Sequence, residues 1–183
     1  LLDYESTIPK WENRFLNSLL GYFNLGDKIK YFKRNNYPRG SNMSFRKETF
    51  DSTGMFNTQL GRIKSGLGGG EEKDIFMKMY ANNMQVLYVP DAIVYHFVPK
   101  ERTTENFIKR QAHGVGRSEY IRVKKEGILI LFKRILTEIF KWAVTLLLFF
   151  YYSITLKIQK GIMIIRFRYW VTKGLLKEIN TSL

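Results

Sequence analysis

Two adjacent carboxylates, Glu71 and Glu72, follow the glycines Gly68-Gly69-Gly70 and open a stretch in which Ile75 with Met79, and Phe76 with Tyr80, form apolar i,i+4 pairs. An ionised carboxylate beside a glycine hinge can take a proton from an incoming hydroxyl, which is general-base chemistry. The same side chains in a first helical turn are what the helix dipole favours, so a purely structural reading stands beside it. Asp74, two residues on, can hydrogen-bond a substrate or pair with a nearby cation. His96 closes the apolar run Ala92-Ile93-Val94-Tyr95. A neutral imidazole there can ligate a metal and an imidazolium favours phosphate, while a strand-end histidine also serves as plain structure. Arg110, His113 and Arg117 stand at i, i+3 and i+7 and share one helix face. Two guanidinium forks on one face suit a diphosphate, and equally make a basic surface helix. Asn42, Ser44 and Arg46 alternate, which places them on the polar face of a short strand or in a locally hydrogen-bonded junction.

The elements that must position these groups can be read from periodicity and breakers. Trp11, Phe15, Leu19, Leu20, Tyr22 and Phe23 fall near helical spacing, so a helix is expected over about 10–24. Gly26 and Lys33-Arg34-Asn35-Asn36 read as loop, closed by Pro38 and Gly40. Asn42 to Phe45 suits a short strand and Arg46 to Asp51 a short helix or turn, broken by Gly54. Residues 61–70 carry five glycines among small and polar residues and read as a mobile loop. A helix is expected over Glu71–Asn82, and strands over Met84–Val89 and Ala92–Phe97. Thr103 or Thr104 can cap a helix reaching about Glu126, with Gly114 and Gly116 weakening its middle.

Beyond residue 97 the pattern is helical, basic and apolar. The whole chain has 183 residues and a formal net charge of +14. Residues 1–96 carry 13 basic and 10 acidic side chains, and residues 97–183 carry 17 and 6. Trp142 to Leu156 contains no charge, shorter than the roughly 20 apolar residues of a spanning helix unless its flanks join it. Lys141 and Lys157 at its ends can snorkel, with Trp142 as an interface anchor. Gly161 to Leu176 mixes apolar residues with Arg166, Arg168 and Lys173, as an interfacial amphipathic helix does. Basic charge joined to long apolar runs points to an anionic membrane surface. A nucleic-acid partner is the rival, but aromatics such as Phe149-Phe150-Tyr151-Tyr152 sit inside apolar runs rather than singly among Arg and Lys. There is no cysteine, which excludes disulfides and thiolate metal sites. No basic start followed by an apolar stretch marks the first thirty residues as a signal peptide, and Leu1-Leu2-Asp3-Tyr4-Glu5 reads as an entry in mid-domain, so a fragment is expected.

Three segments taken together, Gly40-Ser41-Asn42-Met43-Ser44-Phe45-Arg46-Lys47, Gly68-Gly69-Gly70-Glu71-Glu72-Lys73-Asp74 and Tyr88-Val89-Pro90-Asp91-Ala92-Ile93-Val94-Tyr95-His96, resemble in order and spacing the acceptor-side half of a family-2 glycosyltransferase. The resemblance covers about residues 8–122 and the basic apolar tail. It implies an α/β fold, a partial GT-A-type mixed sheet flanked by helices, followed by a helical membrane-associated tail. The implied domains are residues 1–126, the acceptor-side part of the catalytic domain, and residues 127–183, the tail. The implied activity is inverting transfer of a sugar from a nucleotide-diphosphate sugar to a glycan or lipid-linked acceptor at the cytoplasmic face of the cell membrane. In that family the base is usually the aspartate of a Glu-Asp pair opening a helix. Glu72 aligns with it and Glu71 with its partner, so a glutamate one methylene longer stands where aspartate is usual. Asn42 and Arg46 align with the strand lining the sugar and acceptor pocket. Arg110 and Arg117 align with the leaving diphosphate, and His96 with the divalent metal or the diphosphate. The family's cation, Mg²⁺ or Mn²⁺, is held mostly by an Asp-x-Asp motif, which does not occur in this chain. The glycines up to Gly70 are not a P-loop, since no Gly-Lys-Ser/Thr follows. Two other classes fit parts of the pattern: a non-catalytic membrane-surface module, which would bind no nucleotide-sugar, and a nucleic-acid-binding protein, which would bind with a steep salt dependence.

Overall fold

The computed structural model describes residues 1–34, 36–58, 71–124 and 128–180. The expected glycine loop at 61–70 lies outside the described residues. The described residues form a mostly helical structure with two small sheets. In order it runs β1 (Leu2–Tyr4), a 3₁₀ turn (Asn17–Leu20), β2 (Lys30–Tyr31), α1 (Thr49–Thr53), α2 (Glu71–Ala81), β3 (Leu87–Tyr88), β4 (His96–Val98), a 3₁₀ turn (Lys100–Thr103), α3 (Glu105–Lys124), α4 (Ile128–Ile154) and α5 (Ile158–Asn180). β1 pairs with β4, and β2 runs antiparallel to β3 with Lys30 opposite Tyr88. Two compact units emerge. One comprises Leu1–Asp3 with Gly21–Phe97, the other Tyr4–Leu20 with Val98–Leu183.

The first unit is organised by α2. Its i,i+4 stripe of Ile75, Phe76, Met79 and Tyr80 is buried with Phe32 and Val86. Aromatic rings close the core: Phe45 stacks on Phe76 at 5.4 Å between centroids, and Tyr37 on Phe76 at 6.2 Å. The Tyr80 hydroxyl donates to the Asn36 carbonyl at 2.7 Å, and burial raises its pKa above the ordinary value. α2 ends in a left-handed Asn83, with the Met84 amide bonded back to Met79, a common helix stop.

The second unit packs α3, α4 and α5 against one another. The hydroxyl of Thr104 caps α3 by accepting from the Phe107 amide at 3.3 Å, as the sequence predicts. α3 and α5 meet at small residues: a Cβ on Gly174 would lie 2.5 Å from the His113 carbonyl oxygen, and one on Gly116 would overlap the Val171 carbonyl. The glycines that weaken α3 locally thus permit its closest packing.

The segment at 10–24 departs from its periodicity. Only Asn17–Leu20 is helical, as a 3₁₀ turn. The buried Asn13 accepts from the Phe15 amide at 3.0 Å and donates to the Trp11 carbonyl at 2.9 Å. Such local side-chain bonds compete with helical ones and hold the segment in turns. Asn42–Phe45 likewise forms no strand; the Asn42 amide bonds the Arg39 carbonyl in a tight turn.

Candidate active site

The stripe that buries Ile75 and Phe76 continues one turn earlier through Glu71 and Glu72, because i and i+4 share a face. Both carboxylates are half-buried, and Glu71 Oε2 is buried with no hydrogen-bond partner among the described residues. A solvated first turn would present its carboxylates on the outer face. Lys73 is exposed there, whereas Asp74 is half-buried like the two glutamates, its Oδ2 buried and 2.8 Å from Lys78 Nζ in an i,i+4 ion pair. Of the three acidic residues, Asp74 is thus engaged by Lys78, while Glu71 and Glu72 lie in line with the buried Ile75 and Phe76.

Glu72 is seated against the turn at Gly40. A Cβ added to Gly40 would stand 2.5 Å from Glu72 Oε1 and 3.4 Å from its carboxyl carbon. The two residues are distant in sequence and are brought together by the fold of the first unit. Next along that turn, Asn42 Nδ2 donates to the Ala92 carbonyl at 2.6 Å, tying it to the segment before β4. Arg46, exposed, follows in irregular backbone. Arg39, immediately before Gly40, holds its guanidinium carbon 5.7 Å from the Phe23 ring centroid.

His96 begins β4, where its amide donates to the Leu1 carbonyl at 2.8 Å. The imidazole is half-buried and packs over Gly21, whose φ of 99° disfavours a side chain and whose added Cβ would stand 3.0 Å from the ring. Glu72 and His96 are thus each placed against a glycine of the same unit, in different parts of it. Arg110 and Arg117 lie exposed on α3 in the second unit, with His113 half-buried on the same helix. A shallow pocket beside β2 is lined by Tyr31, Arg34, Tyr80, Asn83 and Gln85 and contains none of these candidate residues.

Among the described residues no group of three His, Asp or Glu side chains stands ready for a metal ion. The cation implied by the family resemblance would find single ligands rather than a full set among the described residues, His96 being the candidate.

The family model for glycosyl transferase family group 2 matches residues 21–176. The chain belongs to that family. The matched span takes in the Gly40 turn, α2, β4 and most of the three-helix unit. No curated protein and no solved structure gives a significant match. Members of the family generally transfer glycosyl groups from nucleotide-sugar donors to glycan acceptors.

The sequence pattern missed the Gly40–Glu72 contact and the seating of His96 on Gly21, since neither pair is near in sequence. It also missed an ionic network in the second unit. Arg134 Nη1 lies 2.6 Å from Glu138 Oε2, and Arg168 Nη1 lies 2.9 Å from Glu138 Oε1. Arg134 Nε adds Glu119 at 3.2 Å. The i,i+4 spacing of Arg134 and Glu138 inside an apolar helix was the available signal.

Proposed function

We propose that this family-2 glycosyltransferase chain carries the acceptor-side base of an inverting GT-A-type transfer, and that the base is Glu72. The observation that carries the reading is the alignment of Glu71 and Glu72 with the buried stripe of α2, with the Glu72 carboxylate seated against the Gly40 turn, while Asp74 is engaged by Lys78. The Glu72 carboxylate takes the proton of an acceptor hydroxyl as its oxygen bonds to the anomeric carbon, and the bond from that carbon to the diphosphate breaks, its electron pair leaving on the phosphate oxygen. The anomeric carbon inverts because attack and departure occur on opposite faces. Glu71, with one oxygen buried and without a hydrogen-bond partner among the described residues, is the neighbouring member of the pair. Asn42 and Arg46 contribute polar contacts to sugar hydroxyls from the neighbouring turn. His96 is a donor-side group for diphosphate, or a single ligand to a cation completed by other groups. Arg110 and Arg117 offer a basic face suited to phosphate.

The donor in this reading is a nucleotide-diphosphate sugar and the acceptor a glycan or lipid-linked sugar at the cytoplasmic face of the membrane. Among the described residues one helix, Phe132–Ile154 within α4, is long and apolar enough to cross a membrane. Its outward side chains Phe132, Leu136, Ile139, Phe140, Leu147, Phe150 and Ile154 are exposed, while Arg134, Glu138 and Thr145 are buried. Apolar outside and charged inside is the arrangement that acyl chains favour and water does not. This second observation supports association with a membrane over a nucleic-acid partner.

The test is Glu72→Gln in the full-length protein, in membranes, assayed with tritiated UDP-glucose, UDP-galactose, UDP-N-acetylglucosamine and GDP-mannose. Loss of a general base predicts a fall in kcat of about 10²–10⁴-fold with the donor that wild type uses. Transfer at the wild-type rate removes Glu72 from the role.

A further inference from the structure

Glu72 is one methylene longer than the aspartate that this position resembles, and the space for that length is at Gly40. The Glu72 carboxylate reaches the Gly40 backbone so closely that a Cβ there would stand 2.5 Å from Oε1. Real Cβ atoms do not approach an oxygen so near, so one of the two must yield. Oε1 is the far end of a rotatable side chain, and yielding there moves the carboxylate rather than the fold. The Gly40 backbone does not have a φ in the left-handed region, so an alanine is conformationally admissible at this position.

We propose that Gly40 is a positioning residue for Glu72: its missing side chain sets where the glutamate carboxylate stands, and a shorter carboxylate would not need it. The proposal rests on the reading of Glu72 as the base. Steric coupling has a specific signature. Adding a methyl at 40 displaces a glutamate at 72 but leaves room for an aspartate, so the effect of the first change depends on the second. Independent positions give additive effects, and only contacting ones give an interaction of this kind.

The experiment compares Gly40→Ala in two backgrounds, Glu72 and Glu72→Asp, in the full-length membrane-bound protein with the nucleotide-sugar panel named above. With Glu72 in place, Gly40→Ala should lower kcat by about tenfold or more with donor KM within about twofold, since a misplaced base is lost from the transition state and not from donor binding. In the Glu72→Asp background the same change should alter kcat by less than about twofold, or raise it. Equal losses in both backgrounds, or no loss in either, overturn the proposal. Thermal unfolding of all four proteins covers failure to fold. An alanine tolerated with aspartate but not with glutamate supports the coupling, and one that unfolds both overturns it. Glu72→Gln run alongside separates the two ideas. If it keeps wild-type kcat, the base assignment falls; if it is inactive while the two backgrounds respond equally, only the role of Gly40 falls.

Discussion

Glu71, Glu72 and Asp74 carry the same charge within one helical turn, and the phase of the helix sorts them. Residues 71 and 72 fall in line with Ile75 and Phe76, so the packing that buries those side chains pulls the two glutamates toward the core edge. Asp74 falls off that line and is held 2.8 Å from Lys78. Asp74 is half-buried with its Oδ2 buried, so replacing it with Asn should cost about 0.3–1 kcal/mol, the range of partly exposed i,i+4 pairs. A different residue reports on pH. Tyr4 has a buried hydroxyl without a hydrogen-bond partner among the described residues, and burial, aided by the charge of Glu12, pushes its pKa up to about 12. The folded state holds that proton where the unfolded chain, titrating near its ordinary value, has released it. Its contribution to stability is complete below pH 10 and is lost as pH rises through about 12. Tyr4→Phe should flatten this alkaline loss of stability while leaving neutral-pH stability level or higher. Denaturant titrations in detergent at pH 8 and at pH 11 check it, and an undiminished alkaline loss in the variant contradicts it.

At the scale of elements, α4 has its polar groups on the inside. Glu138 receives Arg134 and Arg168 at once, and Thr172 and Thr145 crowd the same place. Breaking a buried ion pair by removing one member leaves an uncompensated charge, which costs about 3–5 kcal/mol. Glu138→Ala should therefore destabilise the three-helix unit by about that amount, while joint replacement of Glu138, Arg134 and Arg168 by apolar residues of similar volume should recover most of the loss. Unfolding of both variants in detergent measures it. A single-variant loss no larger than that of an exposed pair would show the network to be solvated. The long helices α2 to α5 were legible because each repeats an apolar spacing over several turns, and Thr104 and Gly54 marked ends where caps were expected. The short strands were legible only in part. β3 and β4 occupy two or three residues of the longer apolar runs that suggested them, because their partners β2 and β1 are equally short. The segment around Asn13 misled because one buried amide outweighed six apolar residues at helical spacing.

For the whole molecule, the uneven charge along the sequence does not map simply onto the two units. The unit that holds Glu72 and His96 comprises Leu1–Asp3 and Gly21–Phe97, while Tyr4–Leu20 join the basic residues from Val98 onward in the unit with the apolar outer face. What the sequence could not show was which face of α4 is which, since the i,i+4 pair Arg134 and Glu138 is equally compatible with an outer or an inner face until burial places it inward. Phe140 and Leu147 stand near the middle of the outward stripe, 68% and 69% exposed. If acyl chains cover that face, Phe140→Lys together with Leu147→Lys should each cost roughly 2.5–3.5 kcal/mol of insertion energy and move the protein out of the floating fraction when mixed with anionic vesicles. Unchanged flotation would place the membrane contact elsewhere.

The central claim is chemical, and the rate of a single variant tests it most directly. With the full-length protein and the nucleotide-sugar that supports transfer, kcat for Glu72→Gln should fall by about 10²–10⁴-fold while donor KM stays close to wild type. A Glu72→Gln protein that transfers sugar at the wild-type rate would contradict the account.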